Sequence, residues 1–372
     1  MARLHAVYIS FMKKTPLYEA HRALGARIGP FAGWAMPIQY AGIVPEHLHT
    51  RSSVSIFDTC HMGEFDFRGP SAESDLEGLV TQSVSSMKDG QCRYGFLLNE
   101  AGGVLDDITV FRRSSDHFFM VVNAGTLASD ADWIQKRLSS GTRFTNLSPN
   151  RAKLDIQGPR SREQIETITG QSLPDLRYFR FCDTELCGVP CTLSRTGYTG
   201  EWGYEIYFPA EPATQMWETF LRDSSIRPAG LGARDTLRLE VGYPLYGREL
   251  SADQTPVSTF GTQFIDVTKS FVGRDAVLRE LEEGPRRKMC GLRLESKRAA
   301  RERDRVTLDG EEVGTVSSGS LAPSMRVAVA IAFVDSALAE PGTMLDVQIR
   351  GKPLPAQVVT LPFYHDGSAR KK

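Results

Sequence analysis

The sequence predicts an α+β fold on antiparallel sheets, ending in a small all-β module of barrel type. Apolar alternation of period two, the mark of half-buried strands, recurs along the chain. Strands and helices do not alternate regularly, which argues against a doubly wound parallel sheet. From Gly314 to Phe363 short strands follow one another with Gly and Pro at their turns, as in a small closed sheet. The chain has 372 residues, too many for one compact core, so two or three domains are expected.

Taken in order, Met1 to Lys14 hold a short apolar stretch, Ala6 to Met12, with Lys13 and Lys14 after it. A secretory signal carries its positive charge before the apolar stretch, so the segment is read as no signal, with Met12 a possible natural start. Strands are expected at Glu64 to Arg68, Val104 to Phe111, Phe118 to Val122, Tyr204 to Phe208, Val327 to Phe333 and Leu345 to Ile349. Helical spacing marks Leu127 to Leu138, Ala213 to Leu221 and Leu231 to Val241. Arg279 to Arg305 is rich in charge and free of aromatics, the composition of a solvated face or linker. Asp366 to Lys372 reads as a disordered tail.

Composition excludes some functions. Hydrophobic residues make up 41% and charged residues 24%, as in soluble globular proteins. The net charge is −1, from 44 basic and 45 acidic side chains, and offers neither nucleic acid nor membrane an attractive face. No apolar run approaches the roughly 18 residues of a membrane span. The six cysteines lack the paired spacing of a zinc site, and scattered thiols in a long chain suit a reducing cytoplasm. No metal is expected.

There is no phosphate loop, nucleophile elbow, HExxH or dinucleotide fingerprint. His47 and His49 are two ligands without a clustered third, so hydrogen-bonded or surface histidines are the better reading. Gly102-Gly103-Val104-Leu105-Asp106-Asp107-Ile108 is the most informative stretch. It puts two adjacent carboxylates into an apolar strand, and alternation sends them to opposite faces unless a bulge intervenes. Both acids could lie in water at a sheet edge, or one could be desolvated to handle a proton. Arg195 to Glu201 is a Gly- and Thr-rich turn whose acid could grip an amino-heterocycle or simply be solvated. Arg234 and Arg238 share a helix face, suited to a carboxylate ligand or to pairing with Asp235 and Glu240.

Eight segments in sequence then form a pattern: Thr15 to His21, Phe31 to Tyr40, Phe57 to Glu64, the Gly-Gly-Val-Leu-Asp-Asp strand, Val121 to Ala124, Gln157 to Pro159, the Gly-Tyr-Thr-Gly-Glu turn, and Gly232 to Tyr246. In this order, from about Lys14 to Tyr364, the chain resembles the glycine cleavage T-protein family. The resemblance implies a three-domain cloverleaf around a central folate cavity, with residues 12–278 forming two interleaved α+β domains and 286–366 a β-barrel. It implies transfer of an aminomethyl carbon from the lipoyl arm of a carrier H-protein to tetrahydrofolate, with release of ammonia. Asp107 matches the family's catalytic aspartate. Glu201 would grip the pterin, Tyr94, Asn123 and Tyr198 would line the pocket, Arg234 would bind ligand, and Tyr364 would close the pocket from the barrel.

This chain departs from the family pattern at Pro256 to Gln263, at His365 and at Ala322-Pro323, which bears on contacts to the folate tail. Two other readings belong to the same superfamily: a folate-dependent demethylase, and a non-catalytic folate-binding protein of iron–sulfur maintenance. Retention of Asp107 and the absence of a flavin domain weigh against the first. The lone thiol near the barrel, Cys290, weighs against the second.

Overall fold

The computed structural model describes residues 11–371. The chain opens with α1 (Tyr18–Ala23), a hairpin of β1 (Arg27–Phe31) and β2 (Trp34–Gln39), α2 (Ile43–Ser52) and β3 (Val54–Asp58). It then builds β4 (Gly63–Arg68), α3 (Ala72–Leu79), β5 (Gln91–Leu98), β6 (Val104–Ser114), β7 (His117–Val122), α4 (Leu127–Gln135) and β8 (Arg143–Asn146). Next come β9 (Arg151–Gln157), α5 (Ser161–Thr169), β10 (Phe181–Leu186), β11 (Val189–Ser194), β12 (Gly203–Pro209), α6 (Ala213–Leu221), β13 (Ile226–Pro228) and α7 (Leu231–Glu240). After α8 (Val257–Phe260) and α9 (Arg274–Glu283), six strands finish the fold: β14 (Arg287–Leu294), β15 (Arg305–Leu308), β16 (Glu311–Ala322), β17 (Val327–Asp335), β18 (Met344–Ile349) and β19 (Lys352–Val359).

These strands make three main bodies. One sheet has the order β5-β6-β7-β4-β8, a second the order β10-β11-β12-β9-β3-β13, and the last six strands close into a barrel, β14-β17-β16-β15-β18-β19. Strand β3 belongs to the second sheet, pairing antiparallel with β9 and parallel with β13. The chain therefore leaves that sheet, builds the whole first sheet, and returns. No helix is long and apolar enough to cross a membrane among the described residues.

Each sheet buries its apolar face against its own helices. In the first, Phe65, Phe67, Ile108 and Val110 pack against Leu76 of α3 and Ile134 of α4. In the second, Leu154, Ile156, Ile206 and Phe208 pack against Met216, Trp217 and Phe220 of α6. The opposite faces meet each other, with Phe111 and Phe119 from the first sheet edge-on to Tyr207 of β12 at centroid distances of 5.5 and 5.4 Å.

The expected strands and helices all form, and the helix from Leu127 ends at Gln135, short of Leu138. Two expectations are corrected. The charged region 279–305 is not simply a linker, because it contains β14, whose Cys290, Leu292 and Leu294 face the barrel core; its charges, Arg287, Lys288 and Arg293, bracket four consecutive buried residues. The tail is ordered through residue 371. Ala369 donates its N–H to Gly200 O at 3.1 Å, and Arg195 donates to the carbonyls of Ala369 and Lys371 at 3.0 and 2.9 Å. Backbone bonding to a rigid turn supplies what the tail's composition lacks. Residues 1–10, including most of the stretch before Met12, and Lys372 lie outside the described residues.

Candidate active site

The Asp-Asp strand is internal, not a sheet edge: β6 runs between β5 and β7. The reading with both acids in water is therefore overturned. A register shift sets Leu97 opposite Asp106 but Leu98 opposite Val104, leaving Leu105 as the bulged residue. Beyond it, alternation holds. Asp106 lies on the helix-covered face with Ile108 and Val110, wholly buried, while Asp107 lies on the face turned to the second sheet and keeps part of its surface open.

Asn123, just past β7, ties the pair together. Its N–H donates to Asp106 Oδ2 at 2.8 Å, and its Nδ2 donates to Asp106 Oδ1 and Asp107 Oδ1, both at 2.8 Å. Tyr94 of β5 donates its hydroxyl to Asp107 Oδ2 at 3.1 Å. Burial, helped by the neighbouring Asp106, pushes the Asp107 carboxyl up to about 7 despite these bonds. A carboxyl poised there can hold or release a proton near neutral pH.

Tyr94 is also a wall of a cavity of about 740 Å³ enclosed where the two sheets meet the barrel. This volume lies within the roughly 300–1,000 Å³ of small-molecule sites. Aromatic walls come from every side: Phe260 and Phe264, Tyr178 and Tyr198, Tyr243, and Tyr364. Tyr94 packs edge-on to Phe264 at 4.8 Å. The segment 256–263, where the chain departs from the family pattern, thus contributes Thr259, Phe260 and Gln263 to this wall. Exposed Lys288, His365, Arg370 and Glu340 also line the cavity, giving it a mainly cationic rim.

The expected site residues fall into three groups. Tyr94, Tyr198 and Tyr364 line the cavity, and Asp107 and Asn123 join it through Tyr94. Arg234 lies behind Tyr198, its guanidinium 4.9 Å from the ring centroid, and pairs with buried Asp155 at 2.5 Å. Glu201 is not brought to the cavity. It is buried, with Oε1 accepting from Arg51 at 2.9 Å and Oε2 from the Ser368 N–H at 3.0 Å and its hydroxyl. Its two oxygens link the tail to α2.

Arg238 takes the ion-pair role rather than a ligand role, bonding Asp235, Glu249 and Ser318 within the core. His47 is wholly buried between Thr236, Ser324 and Glu240 at 2.9, 3.0 and 3.1 Å, a satisfied core histidine. Its partner Glu240 also receives Arg51, whose guanidinium stacks on Tyr364 at 4.2 Å.

Sequence reasoning missed a polar face on the second sheet. Glu205 of β12 is nearly buried and accepts from Lys153 and Thr196 at 2.5 Å and Tyr207 at 3.0 Å. Asp155 accepts from Gln157 at 2.6 Å and from Arg234. The signal was present: Lys153, Asp155 and Gln157 alternate with apolar residues along β9, and Glu205 sits between two apolar neighbours. Charges at alternate positions of a buried strand imply a second buried, polar face.

The comparisons follow the same division of the chain. Residues 17–269 match the model of the GCVT N-terminal domain, and residues 287–365 match that of the glycine cleavage T-protein C-terminal barrel domain. The aminomethyltransferase of Caldanaerobacter subterraneus is 40% identical over 95% of this chain and 96% of its own. That of Moorella thermoacetica is 41% identical over 95% and 98%. The crystal structure of the glycine cleavage system aminomethyltransferase T from Bartonella henselae superposes with a TM-score of 0.91 at 34% identity, covering 96% of this chain and 99% of that one. With the sequence, both domain models and the architecture in agreement along nearly its whole length, the chain belongs to the glycine cleavage T-protein family.

Proposed function

We propose that this aminomethyltransferase of the glycine cleavage system works in the central cavity, with Asp107 as its catalytic carboxylate. The observation that carries the assignment is Asp107 itself: partly open, oriented by Tyr94 and Asn123, and poised near neutral pH. Tetrahydrofolate, when bound, supplies the amine nitrogens that take up the methylene carbon of the aminomethyl-lipoyl arm of H-protein, and ammonia leaves. The cavity suits that molecule. Aromatic walls match a flat heterocycle and a benzoyl ring, and Lys288 and Arg370 at the rim match a carboxylate tail.

The protein's own contribution is electrostatic and positional. Ionised Asp107 stabilises positive charge that develops on nitrogen beside it. Tyr94 and Asn123 fix its carboxylate plane, so little reorganisation is needed during the reaction. The aromatic walls exclude water and strengthen that charge interaction. Arg234 fixes the ring of Tyr198 from behind. On this reading residues 12–278 hold the folate and 286–366 close over it. Free thiols at all six cysteines support work in a reducing cytoplasm.

The test is calorimetric titration of the purified protein with tetrahydrofolate, followed by assay of ammonia release from the aminomethyl-lipoyl carrier. Binding with release is expected. Binding without release would remove the transferase reading, and no binding would remove the folate site.

A further inference from the structure

Helix α2 turns His47 and Arg51, one turn apart and on one face, toward the junction of α7, the 195–201 turn and the barrel. His47 bonds Thr236 of α7 and Ser324 of the β16–β17 turn at 2.9 and 3.0 Å. Arg51 is almost wholly buried, its side chain 6% exposed. A guanidinium has five N–H donors in one plane, and here all five are engaged. Nε donates to Glu240 Oε2 at 3.2 Å, and Nη1 to Thr199 O and Glu201 Oε1 at 2.6 and 2.9 Å. Nη2 donates to Leu237 O and Glu240 Oε2 at 3.2 and 3.0 Å. Bonding all round the plane fixes the orientation of the group and leaves only its faces. One face takes the ring of Tyr364, whose centroid is 4.2 Å away.

The acids bonded to Arg51 also hold the backbone around that ring. Glu240 O accepts the Tyr364 N–H at 2.8 Å, and Glu201 Oε2 accepts the Ser368 N–H at 3.0 Å. Tyr364 lines the cavity from the barrel side, whereas Arg51 is not among the lining residues. We propose that Arg51 is a positioning residue, holding the Tyr364 ring where the barrel completes the aromatic wall and so setting the fit of a flat ligand. A desolvated cation on one ring face is an attractive contact, and the five bonds give that contact a single geometry. Lysine is no substitute, since its ammonium is a point charge with three donors and no plane to stack. That the flat ligand is tetrahydrofolate rests on the function proposed above; the stack does not.

The test is NMR of the full chain labelled with 15N-arginine. In the wild type the Arg51 Nε–H is expected as a slowly exchanging resonance shifted upfield by the Tyr364 ring. Tyr364→Leu should abolish that shift, and Tyr364→Phe, which keeps the ring face, should preserve it. If Tyr364→Leu moves no arginine resonance, the stack is overturned. Saturating the wild type with tetrahydrofolate should move the same resonance. An unmoved one overturns the link from Arg51 to the ligand, whether or not any Arg51 variant folds. Calorimetry on a double-mutant cycle reads the positioning. Arg51→Lys should raise the Kd for tetrahydrofolate on the order of ten-fold in the wild-type background. On Tyr364→Leu, where no ring remains to be held, it should raise Kd by about two-fold or less. Equal losses in both backgrounds would show a general structural role and overturn the proposal. If the wild type binds no tetrahydrofolate, the folate reading falls, and the comparison with Tyr364→Leu still decides whether Arg51 holds the ring.

Discussion

Tyr94 and Asp107 meet across neighbouring strands, the phenol of β5 donating to the carboxylate of β6 at 3.1 Å. One end of this contact is a cavity wall and the other is an acid poised near neutrality. On the proposed assignment, the aromatic surface that would receive a flat ligand is bonded directly to the charge that would act on it.

Replacing Asp107 by Asn keeps shape and removes charge. Tetrahydrofolate binding should change little, while ammonia release falls on the order of 10²–10³-fold, the cost of removing one preorganised electrostatic group. Titration calorimetry and the release assay, run on the same preparation, check the two halves. Undiminished turnover would rule out the assigned role.

Turnover should also depend on pH. With the ionised carboxylate as the active form and Asp107 pushed up to about 7, kcat/KM should rise through an acid limb near pH 7 and level above it. A limb near 4, the range of an ordinary aspartate, would contradict this environment for Asp107.

Stability should respond to the same desolvation. Asp130, like Asp107, is pushed up to about 7, burial being the largest cause. A carboxyl whose folded pKa exceeds its unfolded value of about 3.9 contributes stability that is lost as pH rises through the folded pKa. Wild-type Tm relative to Asp130→Asn should therefore fall between pH 5 and pH 8. Parallel Tm curves would show that Asp130 does not titrate in this window.

Asp58 has the opposite sign. It is buried, yet His21 at 2.8 Å, the Thr15 hydroxyl and the Cys60 N–H hold its carboxyl down to about 2. Its contribution is present above about pH 4 and lost as pH falls through 2. Asp58→Ala, which unpairs a buried histidine, should cost about 3–5 kcal/mol by urea unfolding at pH 7. A cost below about 1 kcal/mol would show that the pair adds little.

Glu201 carries a structural prediction. Glu201→Ala removes the acceptor of Ser368 and the partner of Arg51. Amide exchange in residues 366–371 should accelerate, read by mass spectrometry, while the barrel strands keep their protection. Unchanged exchange in the tail would mean that the Arg195 and Gly200 contacts hold it alone.

What could be read beforehand follows from what is local. The helix Ala213 to Leu221 announces itself by periodicity, because one face of it is buried, and the strand Phe118 to Val122 by an unbroken apolar run, because both of its faces are buried. The Asp106-Asp107 pair was legible as an anomaly, and its split between two faces followed from alternation. The direction in which Glu201 points was not legible, since its partners Arg51 and Ser368 lie 150 and 167 residues away. The same holds for Phe260 and Phe264, whose wall exists only where a connecting segment meets the barrel. Strand β14 was hidden by the charges that bracket its buried run, Met289 to Leu292.

The interleaved path of the chain has a consequence for biosynthesis. Strand β3 leaves the ribosome early, but its antiparallel neighbour β9 and its parallel neighbour β13 are made only after the entire first sheet. At roughly 5–20 residues per second, β3 spends on the order of 5–20 s without a partner on either edge. Meanwhile residues 63–146, contiguous in the chain, can complete their own sheet. The nascent protein thus assembles from the inside of its sequence outward, and the two-strand edge of β3 is the part most in need of protection while it waits.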